Sequence, residues 1–145
     1  MSGEKAIIVS ACLLGENCKY SGGNNRNERV LEYVKGHEVI PICPEVMGGL
    51  STPRPPAEIV DGVVINKEGV NVDMEYRLGA QRALEIALRE GAEAAILQSR
   101  SPSCGVREIY DGTFSGARIP GMGVTARLLK EHGIRVLDAG ELLKE

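Results

Sequence analysis

Four short runs of aliphatic and β-branched residues, KAIIVSACL, HEVIPIC, AEAAILQS and IRVLD, are spaced along the chain with helix-patterned stretches between them. Strands that alternate with helices in this way build parallel sheets covered on both faces, which is the strongest constraint the sequence places on its fold. Between the first two runs, RNERVLEYVKG puts Val30, Leu31 and Val34 on one face and ends at Gly36 as a C-cap. The segment VDMEYRLGAQRALEIALREG predicts the clearest helix, with Tyr76, Ala80, Ala83, Leu84 and Ala87 forming its apolar stripe and Gly91 its stop. GVTARLLKEHG sets Val124, Leu128 and Leu129 at helical spacing ahead of the last run, with Gly133 ending the helix. The expected fold is α/β, a single-domain three-layer sandwich over residues 1–145. Its mainly parallel four-stranded sheet has the order 2-1-3-4, Rossmann/flavodoxin-like. Two inserts, EIVDGVVINKEG and REIYDGTFSG, each carry Asp-Gly between β-formers and predict small hairpins beside the main sheet.

A chain of 145 residues, 43% hydrophobic and 26% charged, has enough apolar side chains for one core. Its net charge of -3 supplies no basic field for long nucleic acid. With no Trp, one Phe and four Tyr, the core is aliphatic and stacking platforms for single strands are lacking. The apolar run near the N-terminus is short for a signal peptide, and no stretch approaches a membrane span, so a cytoplasmic protein without a membrane partner is expected. In that reducing compartment the four cysteines are not staples, which turns attention to metal binding or catalysis.

Cys12 follows AIIVSA, Cys43 follows VIPI, and Cys104 follows AAILQSRSPS. Each stands just beyond the carboxyl end of a different expected strand. In the order 2-1-3-4 those ends are neighbours at the point where strand order reverses, the crevice in which open α/β sheets bind ligands. Three thiols without a nearby His suit a soft metal centre, and an iron-sulfur cluster held by three cysteines leaves one iron open. Cys104, between Ser103 and Gly105, is expected to be exposed so that a metal can reach it. Cys18 lies in the loop GENCKYSGGNN and is free either to turn inward or to stay apart. No C-x-x-C spacing signals a zinc ribbon or a thiol redox pair. Taken alone, each cysteine also reads as a buried small hydrophobe, so a metal-free small-ligand or nucleotide-binding module remains an alternative.

The blocks SACLLGENCKYSGG, PICPEVMGGLSTPRPPAEI, QSRSPSCGVREIYDGTFSG and GMGVTARLLKEHGIRV stand in this order across nearly the whole chain. Together they resemble the TudS-type 2-thiouracil desulfurase family. The resemblance implies a non-redox enzyme with a 4Fe-4S cluster that removes sulfur from a small thiolated pyrimidine (2-thiouracil, 4-thiouracil or a thiouridine nucleotide), leaving the oxo-pyrimidine and hydrogen sulfide. Carried over by motif, the cluster ligands are Cys12, Cys43 and Cys104, with Cys18 a peripheral thiol whose role as a ligand stays open. A different Lewis-acid reaction on the same cluster, sulfur transfer or dehydration, is the nearest rival.

Within these blocks Glu45 is the first candidate for general acid/base and Ser101 for proton relay or substrate contact. Ser103 is a further substrate-binding candidate, and Gly48 and Gly49 offer backbone amides to substrate or cluster sulfides. Arg54 and Lys19 are candidates for an anionic substrate group and Tyr20 for stacking. GMGV with Thr125 resembles a phosphate-cradling helix start. His37 and His132 read as structural.

Overall fold

The computed structural model describes residues 6–144; Lys5, read as opening the first strand, lies outside them. In chain order the elements are β1 (Ala6–Ser10), α1 (Glu28–Tyr33), β2 (Glu38–Ile42), α2 (Pro44–Met47), β3 (Ala57–Val60), β4 (Val63–Asn66), α3 (Asp73–Glu90), β5 (Ala94–Leu97), β6 (Glu108–Tyr110), β7 (Arg118–Pro120), α4 (Val124–Glu131) and β8 (Arg135–Asp138). Turns of 3-10 helix follow β1 at Ala11–Leu14 and β8 at Ala139–Lys144. β2, β1, β5 and β8 form one sheet in that order, every pair parallel. Counting these four alone, the order is 2-1-3-4, as expected.

β1 and β5 are buried along their whole lengths. Side chains alternate between the faces of a strand. Accordingly Ile7, Val9 and Ile96 pack with Val30 and Val34 of the α1 region, while Ile8, Ala95 and Leu97 pack beneath Ala83, Leu84 and Ala87 of α3 and Ala126 and Leu129 of α4. Coverage on both faces is why these strands read as unbroken apolar runs rather than alternating ones.

Asn27 caps α1, its side chain accepting from the amides of Arg29 and Val30. That helix ends at Tyr33, earlier than expected, and Gly36 instead takes a left-handed φ of 84° in the turn beyond. Gly91 ends α3 in the left-handed conformation, donating to the carbonyls of Ala87 and Leu88.

Each Asp-Gly insert has a different outcome. Between β3 and β4, Asp61 (φ 51°) and Gly62 (φ 80°) make the tight two-residue turn that Asp-Gly favours. Between β6 and β7, Asp111-Gly112 opens a longer loop, closed where the Asp111 amide donates to the Ala117 carbonyl at 3.0 Å. The difference has a tertiary cause: Glu58 Oε1 on β3 accepts from the amides of Gly112 (2.9 Å) and Phe114 (3.1 Å), drawing that loop against β3.

α2 and α3 meet backbone to backbone. A Cβ on Gly79 would stand 1.8 Å from the Pro44 carbonyl oxygen, and one on Gly48 would stand 1.9 Å from that of Glu75. This contact sets the position of α2 and hence of Cys43 and Glu45 at its start. In an unobstructed helix Gly→Ala would gain about 1 kcal/mol. Overpacking costs about 1–3 kcal/mol, and the obstructing atom here is backbone that no rotamer change removes. Gly79→Ala is therefore expected to destabilise the chain by up to about 2 kcal/mol net, the upper end because the clash is with backbone, read as a lower urea midpoint of the metal-free protein. An unchanged midpoint would mean the two helices separate without cost.

Candidate active site

The carboxyl ends of β1, β2 and β5 open onto a cavity of about 460 Å³. Cys12, Cys18, Cys43 and Cys104 all line it, and all four thiols are free. Cys12 sits in the 3-10 turn after β1, where Asn25 holds it twice: the Asn25 amide donates to the Cys12 carbonyl at 2.9 Å and Nδ2 to Sγ at 3.6 Å. Cys43 is the N-cap of α2, and its Sγ donates to the Cys18 carbonyl at 3.7 Å. Cys104 follows a Ser101 turn, in which Ser101 Oγ accepts from the amides of Ser103 (2.9 Å) and Cys104 (3.0 Å).

Cys104 is 5% exposed, against the expectation of an exposed thiol. It is reached from within the cavity rather than from the surface, because the loop folds down onto the start of α4. The Cys18 side chain turns inward to the same cavity.

Among the described residues no three His, Cys, Asp or Glu side chains close on a single metal ion. A four-iron cube spreads its ligand sulfurs more widely than one ion does, and thiolates are the ligands it takes. A wide cavity walled by thiols fits the ligand chemistry of such a cluster.

Burial pushes the Cys104 thiol up to about 12 from its ordinary 9.0, partly offset by a hydrogen bond from Ser10. Burial, with the neighbouring Cys43, lifts Cys18 to about 12 as well, and burial raises Cys12. A thiol whose pKa is raised by folding contributes stability that is present in full below pH 9 and is lost as pH climbs towards 12. In the metal-free protein, unfolding free energy is therefore expected to fall above pH 9. Cys104→Ser, which cannot titrate there, should fall less steeply, and parallel urea curves for the two proteins would rule out Cys104 as a source of the slope.

Glu45 lies beside the thiols with donors around its carboxylate. Arg54 Nε bonds Oε1 at 2.9 Å in a largely buried ion pair, the side chains 6% and 15% exposed. Ser101 Oγ donates to Oε2 at 3.5 Å. Because both lone pairs of Ser101 Oγ serve backbone amides, its single hydrogen is committed to the Glu45 side. The Tyr76 phenol also lies beside Glu45, and burial together with that carboxylate raises its pKa strongly, so it stays a proton donor.

The remaining candidates fall in different places. Lys19 and Tyr20 stand at the cavity, Lys19 Nζ donating to Asn25 Oδ1 at 3.2 Å and Tyr20 being 48% exposed. Arg54 lines the cavity with four of its five N–H donors engaged, bonding Glu45, the Cys18 carbonyl, the Ser51 carbonyl and Thr52 Oγ1. Ser103 is entirely buried outside the cavity lining, with its Oγ 2.7 Å from Thr125 Oγ1. Gly48 and Gly49 do not line the cavity either; their amides donate to Pro44 and Val46 carbonyls, and Gly48 serves the contact with α3.

The GMGV turn cradles protein rather than phosphate. The amides of Gly123, Val124, Thr125 and Ala126 donate to the carbonyls of Gly105, Pro102 and Ser103, pinning the Cys104 loop. Tyr76, Asn25, Glu58 and Phe114 escaped sequence reasoning. Tyr76 sits at core spacing on α3 yet faces the cavity, and only Asn25 carried a local signal, its place in a Gly-Gly-Asn-Asn turn close to Cys12.

Fold and site together define a parallel α/β protein with a soft-metal cavity at the point where its strand order reverses. The chain belongs to the 2-thiouracil desulfurase family, whose model matches residues 7–141. It is 42% identical to the uncharacterised protein YbbK of Bacillus subtilis (strain 168), over 94% of this chain and 97% of YbbK. It is also similar to the solved structure of the 4Fe-4S-dependent thiouracil desulfidase TudS, with 42% identity and a TM-score of 0.89 over 98% of this chain and 95% of that one. No described helix is long and apolar enough to cross a membrane.

Proposed function

We propose that this chain, acting over residues 1–145 as one α/β domain, binds a 4Fe-4S cluster through Cys12, Cys43 and Cys104 and hydrolytically removes sulfur from a small thiolated pyrimidine. The observation that carries this reading is the meeting of four free thiols and an ion-paired carboxylate on one cavity at the sheet's switch point. Family membership and the likeness to TudS support it.

When bound, such a cluster supplies an electrophilic iron for a thiocarbonyl sulfur. Glu45 accepts the proton of the attacking water, its orientation fixed by Arg54 on one oxygen and Ser101 on the other. The protonated Glu45 is then the acid that returns the proton, with the Ser101 hydroxyl and the Tyr76 phenol beside it as hydrogen-bond donors that hold its carboxyl group. Overall one water is consumed: its oxygen replaces sulfur on carbon and its two hydrogens leave as hydrogen sulfide. Four free thiols and an oxygen-sensitive cofactor suit the reducing cytoplasm, and the net charge of -3 suits a small-molecule partner better than long nucleic acid.

The test is anaerobic reconstitution with iron and sulfide, followed by incubation with 2-thiouracil and 4-thiouracil. Uracil and hydrogen sulfide are expected in equal amounts. A fully loaded protein that forms neither from any thiolated pyrimidine would sink the proposal.

A further inference from the structure

The β6–β7 loop carries a feature that cluster binding and proton transfer leave unused. Phe114, the chain's single Phe, lines the cavity with φ at 58°. A bulky aromatic residue in the left-handed region is a backbone outlier and persists only where its surroundings over-determine it. Those surroundings are specific. Glu58, 9% exposed on β3, uses Oε1 to accept from the amides of both Gly112 and Phe114. Gly112, at φ 93°, lies so close to β3 that a Cβ there would stand 2.7 Å from the Ile59 carbonyl oxygen. On the outer side Asp111 Oδ1 accepts from the Thr113 amide and hydroxyl, and Thr113 Oγ1 bonds Ser115 Oγ at 2.6 Å.

We propose that the Glu58-held loop fixes Phe114 as the aromatic face on which the planar ring of the substrate stacks, making Phe114 a specificity-determining residue and Glu58 its positioning residue. The thiols stand at the carboxyl ends of the sheet strands, and the two hairpins add a further part of the wall through Glu58, Lys67, Tyr110 and Phe114. Tyr20, the stacking candidate from sequence, is half exposed at the cavity, whereas Phe114 is tied down by two hydrogen-bonded amides, its own and that of Gly112. An aromatic side chain carried on backbone that is held in advance leaves only its own rotamer to order when a ligand stacks on it.

This inference rests on the desulfuration reading, so binding and turnover are read separately. The binding probe is 2-thiouracil, titrated into anaerobically loaded protein by calorimetry; turnover is sulfide release from 2-thiouracil and from thioacetamide, which has a thiocarbonyl but no ring. Phe114→Leu is expected to weaken 2-thiouracil binding about tenfold, since aromatic stacking of a base is worth about that factor or more. Phe114→Tyr should stay near wild type, and iron content should be unchanged in both.

Thioacetamide turnover, where the wild type supports it, should be unaffected by Phe114→Leu. Glu58→Ala should cost a similar factor, and the double variant no more than Phe114→Leu alone, because Glu58 acts through Phe114. Unchanged 2-thiouracil binding in Phe114→Leu, or additive losses in the double variant, would overturn the inference. Absent sulfide release from the loaded wild type would instead count against desulfuration and leave the binding comparison to judge the stacking face.

Discussion

Single replacement of Cys12, Cys43 or Cys104 by Ser is expected to abolish iron incorporation and desulfuration together, while Cys18→Ser retains both at least in part. The three thiols follow three adjacent parallel strands, and only the connection after β1 carries a second cysteine, Cys18, so Cys43 and Cys104 have no thiol on their own loops to replace them. A serine hydroxyl fills nearly the same space but is a hard, protonated oxygen where iron-sulfur chemistry takes a thiolate. Cys104 is the sharpest case, since its sulfur is buried under a loop already pinned by the first amides of α4. Because Ser is nearly isosteric, the metal-free variants should unfold near the wild-type midpoint, which separates ligand loss from misfolding. Iron and acid-labile sulfide per chain, measured anaerobically, give the result. Retention of the cluster by any one of the three, with loss in Cys18→Ser, would move the ligand set to include Cys18, whose thiol lies beside Cys43 on the same cavity.

That the meeting of these thiols is visible in the sequence at all follows from topology. A βα alternation dictates parallel strands, parallel strands align their carboxyl ends, and residues just past those ends share an edge whatever their separation in sequence. Cys12 and Cys104 are far apart in the chain and meet for this reason. The central strands β1 and β5 were equally legible, because two-faced burial leaves an unmistakable apolar run.

What stayed hidden depends on contacts between elements. Gly48 looks like an active-site glycine because it follows Cys43 and Glu45 closely, yet its missing Cβ makes room for the Glu75 carbonyl on α3. GMGV has the composition of an anion cradle, and the carbonyls that fill it come from the Cys104 loop. Tyr76 repeats at the spacing of core residues, and only the placement of α2 across α3 brings Glu45 to its hydroxyl. The Asp-Gly of the second insert obeys Glu58 on another strand rather than its own local preference. Short-range signals fail at these positions because a longer-range partner outweighs them.

Glu45→Gln is expected to lower kcat per loaded cluster by about 10²–10⁴-fold with little change in KM or iron content, the range that a positioned general acid/base contributes. The substitution preserves size but removes the carboxylate proposed to accept the proton of water. It also creates a local conflict: with its oxygen kept on Arg54, its amide meets a Ser101 Oγ whose lone pairs are already engaged by two backbone amides. A modest loss of stability is expected from that conflict, so activity is referred to clusters present rather than to total protein. Arg54→Met separates orientation from chemistry. It strips the carboxylate of its buried partner, and breaking such a pair costs about 3–5 kcal/mol, so a lower urea midpoint should accompany a smaller fall in kcat than Glu45→Gln gives. If Glu45 served only to hold the fold, the order would reverse. Glu45→Gln protein would then lose iron and stability while each remaining cluster turned over thiouracil at the wild-type rate.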